Sequence, residues 1–468
     1  MPRIAPTSSS FANQKLGKLA RGEGKIWVLK NVCVIGAGPS GLAAAKNLLD
    51  AGLSVTVIER QMGVGGNWRF SEEISHSSVF ETTHIISSKF YSAFADYPMP
   101  AHFPDYPSHA QLLEYFTGYA EHFGLLPHIH FETLVQRCEP LPDDRWRVTT
   151  VKDGLETSRD FDALVVCNGH HWKPRFPAYP GAFTGEFLHS HSFKRAAPFA
   201  GKRVLVIGGG NSACDIAVET SRVSQQTDVS WRRGYWVVPK FVLGKPADVL
   251  SNGVKWIPKS LRFFLYEKLM LILNGRNRDI SLPEPDHHIG QTHILLNSEL
   301  VYFVRHGKIR VKPDVQRLEG RTVHFTDGSH AEYDAIIAAT GYWIEHPFLD
   351  KEIVDFSSGA VPLYLRMLPA LPRNLYFIGL FQPLGCIWPG AELQAKVAAR
   401  HLTGQWSPPE DLNALIQREL EHPDVPQIDT PRHTITVDDA MFRARLKAQL
   451  PANFVSLEPK LCESRGAA

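Results

Sequence analysis

One short chemical pattern occurs twice in this chain. In the first copy, VCVI at 32–35 reads as a buried strand and Gly36-Ala37-Gly38-Pro39-Ser40-Gly41 as a tight turn. LAAAKNLLDAG follows as a helix, and SVTVI at 54–58 as a second strand closed by Glu59 and Arg60. In the second copy the strand is VLVI at 204–207, the turn GGGNSA at 208–213, and the helix CDIAVETSRV. DVSW at 228–231 closes that unit, with Arg232 and Arg233 after it. Each copy is a βαβ unit with a dinucleotide fingerprint. The first glycine makes the turn, the second lets backbone approach a pyrophosphate, and the third position must be small so that helix and strand pack. Phosphates then rest on the positive helix N-terminus. A lone Gly-x-Gly-x-x-Gly is a weak signal, but here both copies have the right strand before and the right helix after.

The copies differ at the ribose-reading position. Glu59 lies 23 residues after Gly36, and a carboxylate there accepts hydrogen bonds from an unphosphorylated ribose diol, as in FAD or NAD. The same offset from Gly208 reaches Trp231, followed by the two arginines. A guanidinium there grips a 2′-phosphate in a bidentate fork. The first site therefore reads as FAD and the second as NADPH, a pairing in which a nicotinamide reduces a flavin.

Composition narrows the rest. Over 468 residues, 50 Lys and Arg oppose 48 Asp and Glu, a net of +2, so nothing favours nucleic acid as a partner. No stretch reaches the roughly 18–20 apolar residues of a membrane span. The nearest, Leu261–Leu273, is broken by Arg262, Glu267 and Lys268 and is expected to be a helix buried against its own protein. A membrane-surface contact or a homodimer contact is the competing reading of that stretch. Cys33, Cys138, Cys167, Cys214, Cys386 and Cys462 form no C-x-x-C pair, which fits a reducing, cytoplasmic setting. It also argues against a flavin disulfide reductase, which needs a reactive cysteine pair. Residues 1–30 read as a polar tail, with a mitochondrial-type presequence as the alternative.

Further motifs select among flavoproteins. FTGEFLHSHSFK at 183–194 matches F-x-G-x-x-x-H-x-x-x-F-K through Phe183, Gly185, His189, Phe193 and Lys194. GGNW at 65–68, ATGY at 339–342, ELVYFVRHGKIRVKPDVQRLEG at 299–320 and NLYFIGLFQPLG at 374–385 follow the same pattern. From about Asn31 to about Thr403 the chain resembles the flavin-containing monooxygenase family, the class B flavoprotein monooxygenases. Related Baeyer–Villiger enzymes carry Trp then Pro or Asp at the end of the long motif, where this chain has Phe193-Lys194. The resemblance therefore implies the branch that oxygenates a soft nucleophile, an amine nitrogen or a sulfide sulfur of a small organic substrate. It implies a cycle in which NADPH reduces FAD, O₂ forms a C4a-hydroperoxyflavin shielded by retained NADP⁺, and the substrate takes the distal oxygen. The cofactor carries the chemistry, so no catalytic side chain is nominated. No metal site is expected either: there is no H-E-x-x-H, and His287-His288 has no ligand partner at metal spacing.

The resemblance places FAD on Gly36–Gly41, Glu59, Arg60, Gly66, Asn67, Trp68, His76, Thr340 and Gln382. It places NADPH on Gly208, Gly210, Asn211, Ser212, Ala213 and Asp215, with Arg232 and Arg233 on the 2′-phosphate. His189 and Lys194 read equally as cofactor contacts or as a structural linker. One departure stands out. Where the family has an asparagine between flavin and nicotinamide, alignment on His76 and Lys89 puts Ile86, which cannot donate a hydrogen bond. Ser87, His84 or a backbone group substitutes, or the intermediate leaks hydrogen peroxide and the protein acts as an NADPH oxidase. Baeyer–Villiger oxidation of a ketone or aldehyde is the other alternative.

The expected fold is α/β, with two Rossmann-like dinucleotide-binding domains and the NADPH domain inserted in the FAD domain. The FAD domain takes 31–175 and 331–468, and the NADPH domain 176–330. Residues 241–296 are too long for a βα connection and are expected to form a helical insertion over the active site, or a rigid brace. The tail from Gln405, with Pro408-Pro409 and two helix-like stretches, is expected to pack back on the FAD domain.

Overall fold

The computed structural model describes residues 30–451, apart from 74, 255, 293, 372, 384 and 424–433. The expected N-terminal tail and Cys462 lie outside the described residues.

Two five-stranded parallel sheets organise the chain. The first runs in the order Leu375–Phe377, Ala163–Val166, Asn31–Ile35, Ser54–Ile58, Ile129–His130. Its strands are almost continuous apolar runs, as a parallel sheet covered on both faces requires. The helix Pro39–Asp50 follows Asn31–Ile35 and buries Leu42, Ala43, Ala44, Ala45 and Leu48. The alanines let the helix Ile387–Leu402 lie close against it in the same core. On the other face, Trp146, Val148 and Phe161 from an antiparallel three-stranded sheet pack with Phe348 and Phe377.

The second sheet runs Glu186–His189, Ala335–Ala338, Arg203–Ile207, Gln226–Ser230, Ile309–Lys312. Its core joins Val204, Val206, Ala213, Ile216, Ala217 and Trp231. Ala335–Ala338 pairs in register with both Glu186–His189 and Arg203–Ile207. The expected boundary at 330/331 is thereby corrected: the chain leaves the second sheet only after Ala338. The reason is that a parallel strand reaches its neighbours only through a crossover, and this one enters between Glu186–His189 and Arg203–Ile207. Asp228, in Gln226–Ser230, has a fully buried side chain. It accepts hydrogen bonds from Arg310 at 2.9 and 3.3 Å and from the Tyr333 hydroxyl at 2.7 Å, tying three strands' worth of chain around one charge.

Between the neighbouring strands Gln226–Ser230 and Ile309–Lys312 the chain makes the hairpin Phe241–Val242/Lys245–Pro246 and the helices Ala247–Gly253 and Lys259–Asn274. Val238, Val242, Ala247, Met270 and Ile289 form a small core of their own. The expectation that 261–273 is a buried helix is corrected here. One side, with Phe263, Tyr266, Leu269 and Met270, packs on that core. The other leaves Phe264 54 % and Ile272 79 % exposed, with Leu261 and Leu265 beside them. Sixteen residues around a core this small cannot all be inside it. No described helix is long and apolar enough to cross a membrane.

After the first sheet closes, Gln382–Pro383 pairs with Thr436–Val437, and the helices Leu412–Glu421 and Asp439–Lys447 insert Ile416, Phe442 and Leu446 into the first core. The tail thus packs back on the first sheet, as its pattern indicates. Removing the Tyr333 hydroxyl leaves Asp228 short of one charge-assisted hydrogen bond. Tyr333→Phe is expected to lower unfolding stability by about 1.5–3 kcal/mol in urea denaturation.

Candidate active site

The first turn is built by backbone that nothing else can occupy. Gly36 sits at φ +99°, and a Cβ on it would lie 2.8 Å from the Cys167 carbonyl oxygen. A Cβ on Gly41 would fall 1.8 Å from the Gly36 carbonyl oxygen. The helix Pro39–Asp50 begins with proline in its first turn and no side-chain cap, so its free N–H groups face the turn. Against it lies Gly66–Trp68, a single 3₁₀ turn whose Gly66 Cα opposes Gly38.

Glu59 closes the strand Ser54–Ile58. Its carboxylate accepts from the Ala37 amide at 2.7 Å and from the Gln61 amide at 2.8 Å. Burial pushes its carboxyl above the usual range, and those two N–H groups oppose the shift. Arg60 beside it stacks its guanidinium 5.7 Å from the Trp172 ring.

These groups line one cleft of about 1330 Å³, partly open to solvent. Its lining includes Glu59, Arg60, Thr133–Val135, residues of the turn Gly36–Ser40, Asn67, Trp68, His76, Gly379, Ile387 and Trp388. Thr133–Val135, Cys167–Trp172, Pro347, Phe348, Ile387 and Trp388 were not legible from sequence. They come from strand ends brought together only by sheet order, and no local motif marks them. Trp68 and Trp388 meet edge to face at 5.9 Å. His76 Nε2 bonds the Gly66 carbonyl at 2.8 Å, while burial depresses its pKa to about 4, so the ring is neutral. Its Nδ1 and the Trp172 Nε1 are buried without a protein partner among the described residues. An unpartnered indole donor, an unpartnered imidazole acceptor and a glycine cradle beneath suit a polar, phosphate-bearing ligand that replaces water. FAD fits that description along the whole cleft.

The loop after His76 is clamped to the second sheet by the long motif. His191 Nε2 bonds the Ser75 carbonyl at 2.6 Å, and Lys194 Nζ donates to the Ser77 carbonyl at 2.7 Å. Phe193 packs edge to face on Phe80 at 5.3 Å. Asn67 Oδ1 accepts from the Ser78 amide and hydroxyl at 2.8 and 2.9 Å, holding the same loop to the 3₁₀ turn. His189, fully buried, accepts from the His191 amide at 3.1 Å and touches Phe176 and Tyr342. Burial lowers its pKa to about 4 and that of Lys194 to about 8.

The remaining expected residues are distributed as follows. Gly208 has φ +137°, and a Cβ there would meet the Ala339 carbonyl at 2.4 Å; Gly210 precedes the helix Asn211–Ser221, with no side-chain cap. Ser212 is exposed and Ala213 buried. Asn211 and Asp215, expected to line the turn, bind Leu296 and Asn297, where the 241–296 segment ends. Asn211 Oδ1 accepts from the Leu296 amide at 2.8 Å, and Asp215 from the Asn297 amide group at 2.7 Å. Burial pushes Asp215 up to about 6. Arg232 is exposed and Arg233 half-buried at the strand end, with no ion pair to either among the described residues. Thr340 donates to the Arg175 carbonyl at 2.6 Å. Gln382 has its side chain beside the neutral, buried His170, which itself lines the cleft. His84 is exposed, Ile86 half-buried, and Ser87 buried with its hydroxyl 2.8 Å from that of Ser92. Cys33, Cys138, Cys167, Cys214 and Cys386 are buried free thiols, and no metal-binding group of His, Cys, Asp or Glu occurs among the described residues.

The model of the flavin-binding monooxygenase-like family matches residues 29–440. The chain belongs to that family. It is a flavin-dependent monooxygenase, with FAD and NADPH as its cofactors. It is 38% identical over 396 residues to dimethylaniline monooxygenase (N-oxide-forming) 2 of Cavia porcellus, covering 80% of this chain and 74% of that one. It is 36% identical over 457 residues to flavin-containing monooxygenase 5 of Homo sapiens, covering 92% and 86%. Among solved structures, S-allyl-L-cysteine S-oxygenase from Allium sativum shares the fold at a TM-score of 0.69 with 24% identity, covering 90% of this chain and 88% of that one.

The neutral histidines set an acid limit. His76, His170 and His189 each have a folded pKa near 4 against an ordinary 6.5. Between those values the unfolded chain binds more protons than the folded one. The stability they permit is complete above pH 6.5 and is lost as pH falls through about 4. Melting temperature is expected to drop across that window, and His189→Gln to drop less than the parent.

Proposed function

We propose that this monooxygenase transfers one oxygen atom from O₂ to an amine nitrogen or sulfide sulfur of a small organic substrate. The observation that carries the reading is the single cleft from Glu59 to Trp388, lying where the Phe193-Lys194 clamp joins the two sheets. The branch of the family that ends its long motif in Phe-Lys supports a nitrogen or sulfur acceptor over a ketone, as does the N-oxide-forming name of the Cavia porcellus relative. FAD, when bound and reduced by NADPH, supplies the activation of O₂.

The chain's own residues then have separable tasks. Glu59 holds the ribose diol of FAD, with its carboxylate already oriented by the Ala37 and Gln61 amides. Gly36–Gly41 and the helix they open hold the pyrophosphate. Asn67, Trp68, His76 and Trp388 bound the reacting end, and their bulk excludes water. Gly208–Ala213 takes the NADPH pyrophosphate, and Arg232 and Arg233 take its 2′-phosphate. Asn211 and Asp215 connect that turn to the 241–296 segment, which we assign as the helical insertion that shapes substrate access. The first sheet is accordingly the FAD domain and the second the NADPH domain. A second reading, release of hydrogen peroxide, has one specific observation behind it: Ile86 offers no side-chain donor where a donor would steady retained NADP⁺.

Turnover under ¹⁸O₂ with NADPH and a tertiary amine or a thioether distinguishes the readings. One labelled oxygen in the product is expected. Quantitative hydrogen peroxide with no labelled product for any amine or sulfide would overturn the assignment in favour of oxidase activity. Separately, Arg232→Ala is expected to raise the KM for NADPH roughly tenfold or more while changing that for NADH little. Equal changes for both would remove the 2′-phosphate role.

A further inference from the structure

The turn Ile86–Ser92 belongs to the first half of the chain, yet its central amide is held by the insertion. Asp248 Oδ2 accepts from the Ser88 N–H at 2.6 Å across a separation of 160 residues. Ser88 is fully buried, so its amide must find an acceptor in the protein, and a carboxylate is a stronger one than a carbonyl. From there the contacts continue to the cleft. Ser87 and Ser92 share a hydrogen bond between hydroxyls at 2.8 Å. The Ser92 carbonyl accepts from Trp388 Nε1, and Trp388 forms the wall of the cleft against Trp68.

Asp248 is itself held firmly. It sits in the first turn of Ala247–Gly253, where its other oxygen accepts from the Val249 amide at 2.8 Å. The Ala247 amide donates to the Lys240 carbonyl at 2.9 Å, and the Tyr266 hydroxyl to the Ala247 carbonyl at 3.3 Å. Beside this, the Tyr106 hydroxyl donates to the Lys240 carbonyl at 2.6 Å, and its ring meets Phe241 edge to face. Of these described contacts, that of Asp248 leads toward the cleft.

We infer that Asp248 is a positioning residue for oxygen transfer: through the Ser88 amide it lets the insertion set the Ile86–Ser92 turn, and hence Trp388, against the flavin cleft. This rests on the function proposed above. It also gives the insertion a role at the reacting end beyond covering it, because displacement of Ala247–Gly253 is passed to the cleft wall.

The test compares Asp248→Ala with Asp248→Asn in the FAD-loaded protein. The alanine variant removes the acceptor; the asparagine variant keeps an oxygen for Ser88. Asp248→Ala is expected to lower kcat/KM for the oxygenated substrate roughly tenfold and to divert NADPH electrons to hydrogen peroxide. Anaerobic reduction of the flavin by NADPH should stay within about twofold of the parent. Asp248→Asn should restore most of the coupling. Hydrogen exchange of the peptide spanning 83–92 should quicken in the alanine variant and not in the asparagine one. Parental coupling and exchange in Asp248→Ala would overturn the inference. So would flavin reduction falling in step with oxygenation, which would mark general loss of structure. If the parent itself gives no oxygenated product while exchange at 83–92 still responds to Asp248→Ala, the function assignment fails and the tether stands.

Discussion

The structure depends on bare backbone meeting bare backbone at the first turn. Gly41 stands so near the Gly36 carbonyl that no side chain fits between helix and strand. That contact fixes where the helix Pro39–Asp50 starts, and so where its unsatisfied N–H groups point. The Ala37 amide, one residue into the turn, is what orients Glu59. Sheet order then delivers Cys167–Trp172 and Trp388 to the same space. A methyl group at Gly41 would displace the start of the helix or the Gly36 carbonyl.

The second organising fact is that one loop of the first unit is gripped from several sides. Residues 75–92 are tied to the 3₁₀ turn by Asn67, to the second sheet by His191 and Lys194, and to the insertion by Asp248. The long motif at 183–194 is thus a clamp. His189 shapes it from within, accepting the His191 amide, and does not line the cleft. In their described contacts both His189 and Lys194 are joined to protein. The conformation of the cleft wall is therefore shared property of three parts of the chain.

What was legible in the sequence was local. Gly36–Gly41, Glu59 and Arg232–Arg233 announce themselves because strand, turn and helix are contiguous, and each residue type answers one physical demand. The double fold and the return of the chain to the first sheet followed from those motifs. The return point was misplaced because Ala335–Ala338 is a four-residue apolar strand, and nothing in its composition says which of two parallel sheets it joins. Val135, His170 and Trp388 were invisible for a similar reason: their place depends on strand order. The helix Lys259–Asn274 is half exposed because an apolar stretch shows no more than that burial is favourable, and the amount of core available to receive it is set elsewhere.

The nesting of one sheet inside the other has a consequence for how the protein is made. Synthesis completes the second sheet at Ala338, while the first still lacks its edge strand Leu375–Phe377 and the helix Ile387–Leu402. Emerging from the ribosome, the chain therefore owns a finished second sheet before the cleft beside the first has its last wall, Trp388 included. During that interval Asn31–Ile35 and Ala163–Val166 can pair, but the core around the helix Pro39–Asp50 stays uncovered on the side that Ile387–Leu402 will close. A ligand that needs Trp388 in the wall of its cleft can therefore join only after residue 388 has been made, well after the second sheet is complete.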